Sequence, residues 1–198
     1  MATPDLPIKA FATARAWERW LAKEPATSEG LWIRLAKQGS EIISISYEEA
    51  VEVALCYGWI DGQKAAVDEE FWLQRFTPRR PGSRWSKINC GRVEALAAAG
   101  RMKPGGRREV ERAKADGRWD AAYAGQATMA VPGDLEAALA KDSQAKRSFS
   151  TLDAANRYAI LYRIHDAKQP ETRARRIAQF VETLSRGETL HPQRGRRK

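Results

Sequence analysis

Apolar residues recur at helical spacing first at Ala16, Trp17, Trp20 and Leu21, which form one face of a helix that Thr13 can cap. "KEPATSEG" breaks this pattern. In "LWIRLAKQG" the period changes to two: Leu31, Ile33 and Leu35 alternate with Trp32 and Arg34, as in a strand. Ser46 then caps a helix whose Tyr47, Ala50, Val51, Ala54 and Leu55 line a buried face. Glu49, three residues after the cap, completes a capping box, and Gly58 is its left-handed stop. "WIDGQKAAV" and "EEFWLQRFTPR" are two further strands joined by an acidic turn at 68–70. Phe71 and Leu73 fall on one face of the second strand, Trp72 and Phe76 on the other. A strand apolar on both sides is expected to be covered on both.

After Pro81–Gly82 the periodicity is helical. Ser86 caps a helix ending at Gly100, and Pro104 opens another that ends at Gly117. "GRWDAAYAGQATMAVPGD" is a connector anchored by Trp119 and Tyr123, one turn apart. Three helices follow, over 134–141, 143–165 and 170–187. The expected fold class is α+β: a small antiparallel sheet with helices in the N-terminal half, and a helical C-terminal module. The domains divide as 1–132, 133–187 and a basic tail, 188–198, expected to be disordered. There is no internal repeat.

A chain of 198 residues with 43% hydrophobic and 30% charged residues can bury a core. No apolar run reaches the ~20 residues of a membrane span. "MATPDLPIKAFATARAW" has no basic segment followed by an apolar one, so no export signal is expected. Cys56 and Cys90 form neither a CxxC pair nor a zinc spacing. A reduced, cytoplasmic protein is expected. The net charge of +9, four units of which lie in the final "HPQRGRRK", favours polyanionic partners or anionic surfaces.

Charge concentrates in "FTPRRPGSRWSKINCGRV" (76–93), which holds Arg79, Arg80, Arg84, Lys87 and Arg92, and no acid. Pro78, Pro81 and Gly82 impose a non-helical, exposed path. Guanidinium groups bind phosphate oxygens in pairs, Trp85 offers a face for a base, and a helix starting at Ser86 adds free backbone N–H groups. The alternative is that these arginines pair with Glu48, Glu49 or Glu52 and that Trp85 is core. A second cluster, Arg173, Arg175 and Arg176, lies in the first turns of the last helix, where cations oppose the helix dipole by roughly 0.3–1 kcal/mol each. Its compensating anion is either Asp166 or Glu171, or a ligand phosphate. In "GWIDGQ", Asp61 beside the Trp59 ring is a candidate organiser or general base, against a structural ion pair or an Asp-Gly turn.

GxSxG, HExxH, GxxxxGK[ST] and GxGxxG are absent, and His165 and His191 are isolated, so no metal or cofactor is expected. "KPGGRRE" has the shape of a phosphate loop without its spacing, and a plain loop-to-helix entry describes it better.

Five phrases occur in order: "ALCYGWIDGQ" (54–63), "FTPRRPGSRWSKIN" (76–89), "GRMKPGG" (100–106), "GRWDAAY" (117–123) and "AKQPETRARRI" (167–177). As a set they resemble the YdeI/OmpD-associated, or bacteriocin-protection, family. The resemblance implies an α/β front half, a helical C-terminal module, a part in envelope stress or antimicrobial-peptide resistance, and a periplasmic location; the missing export signal departs from the last. Two functions follow. One is a binding module in which Arg79, Arg80, Arg84, Lys87, Arg173 and Arg176 hold a nucleotide or nucleic acid, with Trp85 stacking. The other is an enzyme that uses Asp61 in a pocket beside Trp59, with the arginines holding an anionic substrate. A protein partner is a further possibility, and the sequence leaves the oligomeric state open.

Overall fold

A computed structural model describes residues 6–23 and 28–193. The tail arginines Arg194, Arg196 and Arg197, with Lys198, lie outside the described residues, as do residues 24–27 of the "KEPATSEG" break. The chain divides into two compact units, 1–122 and 123–198.

The first unit holds β1 (Ile8–Ala10), α1 (Ala14–Lys23), β2 (Leu31–Ala36), α2 (Tyr47–Tyr57), β3 (Trp59–Ala66), β4 (Phe71–Pro78), α3 (Lys87–Ala98) and α4 (Pro104–Ala115). The sheet order is β1-β2-β4-β3, with β2, β4 and β3 antiparallel. β1 pairs parallel to β2, so the sheet is mixed rather than wholly antiparallel. Three residues after Pro7 carry too little alternation to announce a strand.

Register decides the faces. Leu31 opposite Phe76, Ile33 opposite Gln74 and Leu35 opposite Trp72 put one set of side chains toward the helices. There they join Trp17, Leu21, Val51, Leu55 and Trp85 in the main core. The opposite face carries Trp32 and Leu73, covered by Leu6 in a small cluster of their own. β4 is therefore apolar on both sides, as its sequence reads, and the outer cover is a few side chains.

Local rules set the helix ends. Ser46 Oγ accepts from Glu49 N while Glu49 returns a carboxylate oxygen to Ser46 N at 3.0 Å, the capping box read from the sequence. Gly58 stops α2 at φ 81°. α4 enters against the end of α2: Lys103 N donates to Cys56 O at 3.0 Å. A Cβ built on Gly106 would stand 2.3 Å from that same carbonyl. The paired glycines of "KPGGRRE" thus serve helix contact.

The second unit holds α5 (Gly133–Ala140), α6 (Ser143–Thr151), α7 (Ala154–His165) and α8 (Pro170–Ser185) around Leu135, Phe149, Ile160, Leu161, Ile164 and Leu184. The helix expected over 143–165 is two helices. Asp153 caps α7 by accepting from Asn156 N at 2.8 Å, and the chain breaks at Leu152–Asp153. The expected connector anchors belong to different units: Trp119 packs on Trp85, and Tyr123 on Tyr162.

Candidate functional site

The basic loop begins where β4 ends. Arg79 N donates to Gly58 O at 3.0 Å, tying the loop's start to the end of α2. Arg80–Ser83 is a turn with Pro81 and Gly82 at its centre and Gly82 at φ 84°, the geometry of a type II turn. Arg80 N donates to Ser83 Oγ, and Ser83 N to Arg80 O, both at 2.9 Å. Arg118, paired with Asp116 at 2.7 Å, donates to Ser83 O from outside the loop. At its far end Ser86 caps α3, its Oγ accepting from Asn89 N at 3.1 Å.

Arg79 is the loop's internal brace. Its guanidinium lies 3.5 Å from the centre of the Trp85 ring, and Nη1 donates to Arg84 O at 3.0 Å. Arg79 is only 5% exposed and Trp85 2%. Trp85 is therefore core, packed on Trp119 with centroids 5.0 Å apart, and its face is already covered by a cation. This corrects the expectation that Trp85 stacks on a base and that Arg79 supplies charge to a ligand. A guanidinium over an indole face is attracted by the ring quadrupole, and burial strengthens the contact. Arg80, Arg84 and Lys87 remain exposed. Among the described residues neither Arg80 nor Lys87 forms an ion pair, and none of Glu48, Glu49 and Glu52 reaches them; Glu52 pairs with Arg101 at 3.0 Å.

Arg173 and Arg176 lie in the other unit and have partners there. Arg173 grips Asp134 with two hydrogen bonds, at 2.6 and 2.9 Å, and donates to Ile164 O. The Arg173 guanidinium holds the Asp134 carboxyl below its usual range, and the carboxylate in turn raises the Arg173 pKa. Arg176 lies 3.7 Å from Asp166 and donates to Arg163 O. The compensating anions for these helix-start cations are intramolecular, so a phosphate is not needed to explain them.

Asp61 stands inside β3, opposite Phe76, just before a register shift that ends at Lys64 opposite Gln74. The shift is a bulge. Gln74, fully buried, donates Nε2 to Gly62 O and Gln63 O at 2.9 and 3.1 Å and so holds the displaced carbonyls. Asp61 is thus not in an Asp-Gly turn, and among the described residues it forms no ion pair with an arginine. Its Oδ2 accepts from Tyr47 Oη at 2.6 Å. Burial first, and then this bond, push the Tyr47 pKa far above its ordinary value, while the nearby Arg92 pulls the other way. Lys64 places its ammonium 5.0 Å from the Tyr47 ring and 4.9 Å from the Trp72 ring. Lys64, Trp72 and Arg92 therefore gather around Tyr47, the residue that holds Asp61, and nothing in the local sequence joins Tyr47 to Asp61. Tyr47 is half-buried against the core, as its place in the capped helix implies, and its hydroxyl reaches Asp61.

Trp59 does not line this cluster. It is 6% exposed and meets Trp17 and Trp20 edge-on at 6.0 and 5.8 Å. The aromatic side chain that bonds Asp61 is Tyr47. Among the described residues no group of three His, Cys, Asp or Glu side chains is placed to hold a metal.

A family model described as a domain of unknown function, DUF8412, matches residues 9–109, just over half of the chain. The chain belongs to the DUF8412 family. A second model, described as bacteriocin-protection, YdeI or OmpD-associated, matches residues 128–187. The chain is therefore a DUF8412 region followed by a YdeI/OmpD-associated domain. The resemblance read from the sequence is to that second family. Of its five phrases only "AKQPETRARRI" lies within the YdeI/OmpD-associated match, while three lie within DUF8412 and "GRWDAAY" falls between the two. No curated protein and no solved structure matches the chain. Among the described residues no helix is long and apolar enough to cross a membrane.

Proposed function

We propose that this protein is an anion-binding module whose contact surface is the DUF8412 segment from Arg79 to Lys87. The observation that carries the reading is the Arg79–Trp85 stack at 3.5 Å. It braces the turn with one arginine, and the Arg80, Arg84 and Lys87 side chains are exposed at the capped start of α3. Exposed guanidinium groups on a hydrogen-bonded turn, beside the N–H groups of a helix start, suit a phosphate-bearing ligand, a nucleotide or nucleic acid. With Trp85 buried, recognition rests on phosphate and is indifferent to base identity. Arg173 and Arg176 are not part of this surface. The description of the C-terminal domain supports a setting in bacteriocin protection or stress, and the buried free thiols of Cys56 and Cys90 suit a cytoplasmic location. The test is binding of a labelled single-stranded oligonucleotide by the Arg80→Ala, Arg84→Ala double variant; binding equal to the parent's rejects the reading.

The Tyr47–Asp61 bond at 2.6 Å favours a second reading, an enzyme in which Asp61 works on a substrate held by Lys64 and Arg92. Asp61→Asn then abolishes turnover of that substrate and leaves the fold intact. Oligonucleotide binding unchanged in Asp61→Asn but lost in the double arginine variant separates the two readings.

A further inference from the structure

α8 is 16 residues long, about 24 Å at 1.5 Å per residue. One side of it, Ile177, Phe180 and Leu184, is buried in the core of the second unit. α5 lies beside it and runs in the same direction, because Asp134 meets Arg173 at one end and Asp142 and Ser185 line the groove together at the other. Between the two helices is an open groove of about 780 Å³. Ala138, Ala174, Ile177, Ala178 and Val181 line it, and Ala174 and Ala178 are exposed. Small side chains here let another helix backbone come close.

The charges beside the groove say which helix. Glu171, Arg175, Glu182 and Arg186 are all exposed and follow one flank of α8 at spacings of four, seven and four. Read from the other end, the same flank has the opposite sign at every one of these positions. A parallel copy of α8 would meet like charge four times, and an antiparallel copy opposite charge four times. α5 repeats the pattern, with Asp134 at its start and Lys141 just past its end, both on the groove. A surface that is the electrostatic complement of its own inverse is what a two-fold interface requires.

We infer that the α5–α8 groove is a homodimer interface, filled by α8 of a second copy running antiparallel. The axis passes beside Ala178. Glu171 faces the partner's Arg186 and Arg175 faces the partner's Glu182, each contact made twice. Within one copy Arg186 pairs with Glu182 at 2.7 Å and Glu188 at 3.1 Å. Such exposed pairs contribute little, so exchanging them for partners across the axis costs little. The Arg173–Asp134 clamp stays within each copy and fixes α5 against α8.

Sedimentation velocity of the full-length protein at rising concentration tests this. The expected mass climbs from 22.2 kDa toward twice that value. Arg175→Glu and Glu182→Arg each place like charges across the axis twice and weaken the dimer roughly tenfold or more. The double variant Arg175→Glu, Glu182→Arg reverses both and restores association. Ala178→Arg, on an exposed helix position that accepts Arg, blocks close approach and gives a monomer. Circular dichroism of each variant separates lost association from lost folding. A parent that stays at 22.2 kDa up to about millimolar concentration overturns the inference. So does a dimer that neither single reversal nor Ala178→Arg weakens, or whose single reversals the double variant fails to rescue. Each of those outcomes leaves the groove to some other chain.

Discussion

Arg79 and Arg80 are neighbours in sequence and opposite in use. Arg79 is sealed against Trp85 and braces the turn, while Arg80 stands in water. The composition of 76–93 disclosed the excess of charge but not this division, because guanidinium chemistry serves an inward stack on tryptophan as well as an outward grip on phosphate. The same limit hid the setting of Asp61. Its partner Tyr47 is 14 residues away, and the bulge that aims it depends on Gln74, an amide in the opposite strand. Nothing local to "GWIDGQ" contains either. The division predicts a contrast in stability. Trp85→Ala should cost about 3–5 kcal/mol in urea denaturation, since it empties a fully buried site. Arg80→Ala with Arg84→Ala should change stability by no more than about 0.5 kcal/mol. Equal losses in the two variants would show the exposed arginines to be structural.

Where an element is fixed by contacts within a few residues, its sequence announced it. The capping box of α2, its stop at Gly58 and the alternation in β2 are such cases. β1 depends on a partner strand more than 20 residues away, and the break between α6 and α7 on a cap that long apolar periodicity obscured. The glycines of "KPGGRRE" are legible only once α4 is seen against α2. Gly106→Ala would bring a methyl group to 2.3 Å from Cys56 O. It should lower the melting temperature, with a loss of about 1–3 kcal/mol or more from overpacking. A variant that melts with the parent would mean the helices can separate freely. The α5–α8 clamp has its own signature in pH. Asp134 ionises below its ordinary value when folded, because Arg173 holds the carboxylate. Its contribution is therefore full above the unfolded carboxylate's pKa of about 3.9, declines as pH falls below that, and is gone below the folded value. Thermal melts of the parent and Asp134→Asn should differ near neutrality and converge in acid. A gap that widens on acidification would contradict the pairing.

At the scale of the whole chain, two units each close a core and each match a different family model. The α+β class with a helical C-terminal module was legible from periodicity alone, and the YdeI/OmpD-associated resemblance from short phrases. The helical unit satisfies Arg173 and Arg176 with Asp134, Asp166 and backbone carbonyls, so the proposed anion surface draws only on the loop of the first unit. The net charge of +9 adds long-range attraction for anions to the proposed local grip.

Fluorescence anisotropy of a short labelled single-stranded DNA, titrated at several salt concentrations between about 50 and 200 mM, measures that grip directly. Affinity should fall steeply with salt, whatever the base sequence. In the Arg80→Ala, Arg84→Ala variant it should be weaker, with a log–log slope shallower by about one for each arginine lost. Parent and variant giving superimposable slopes and affinities would show that the loop does not bind phosphate.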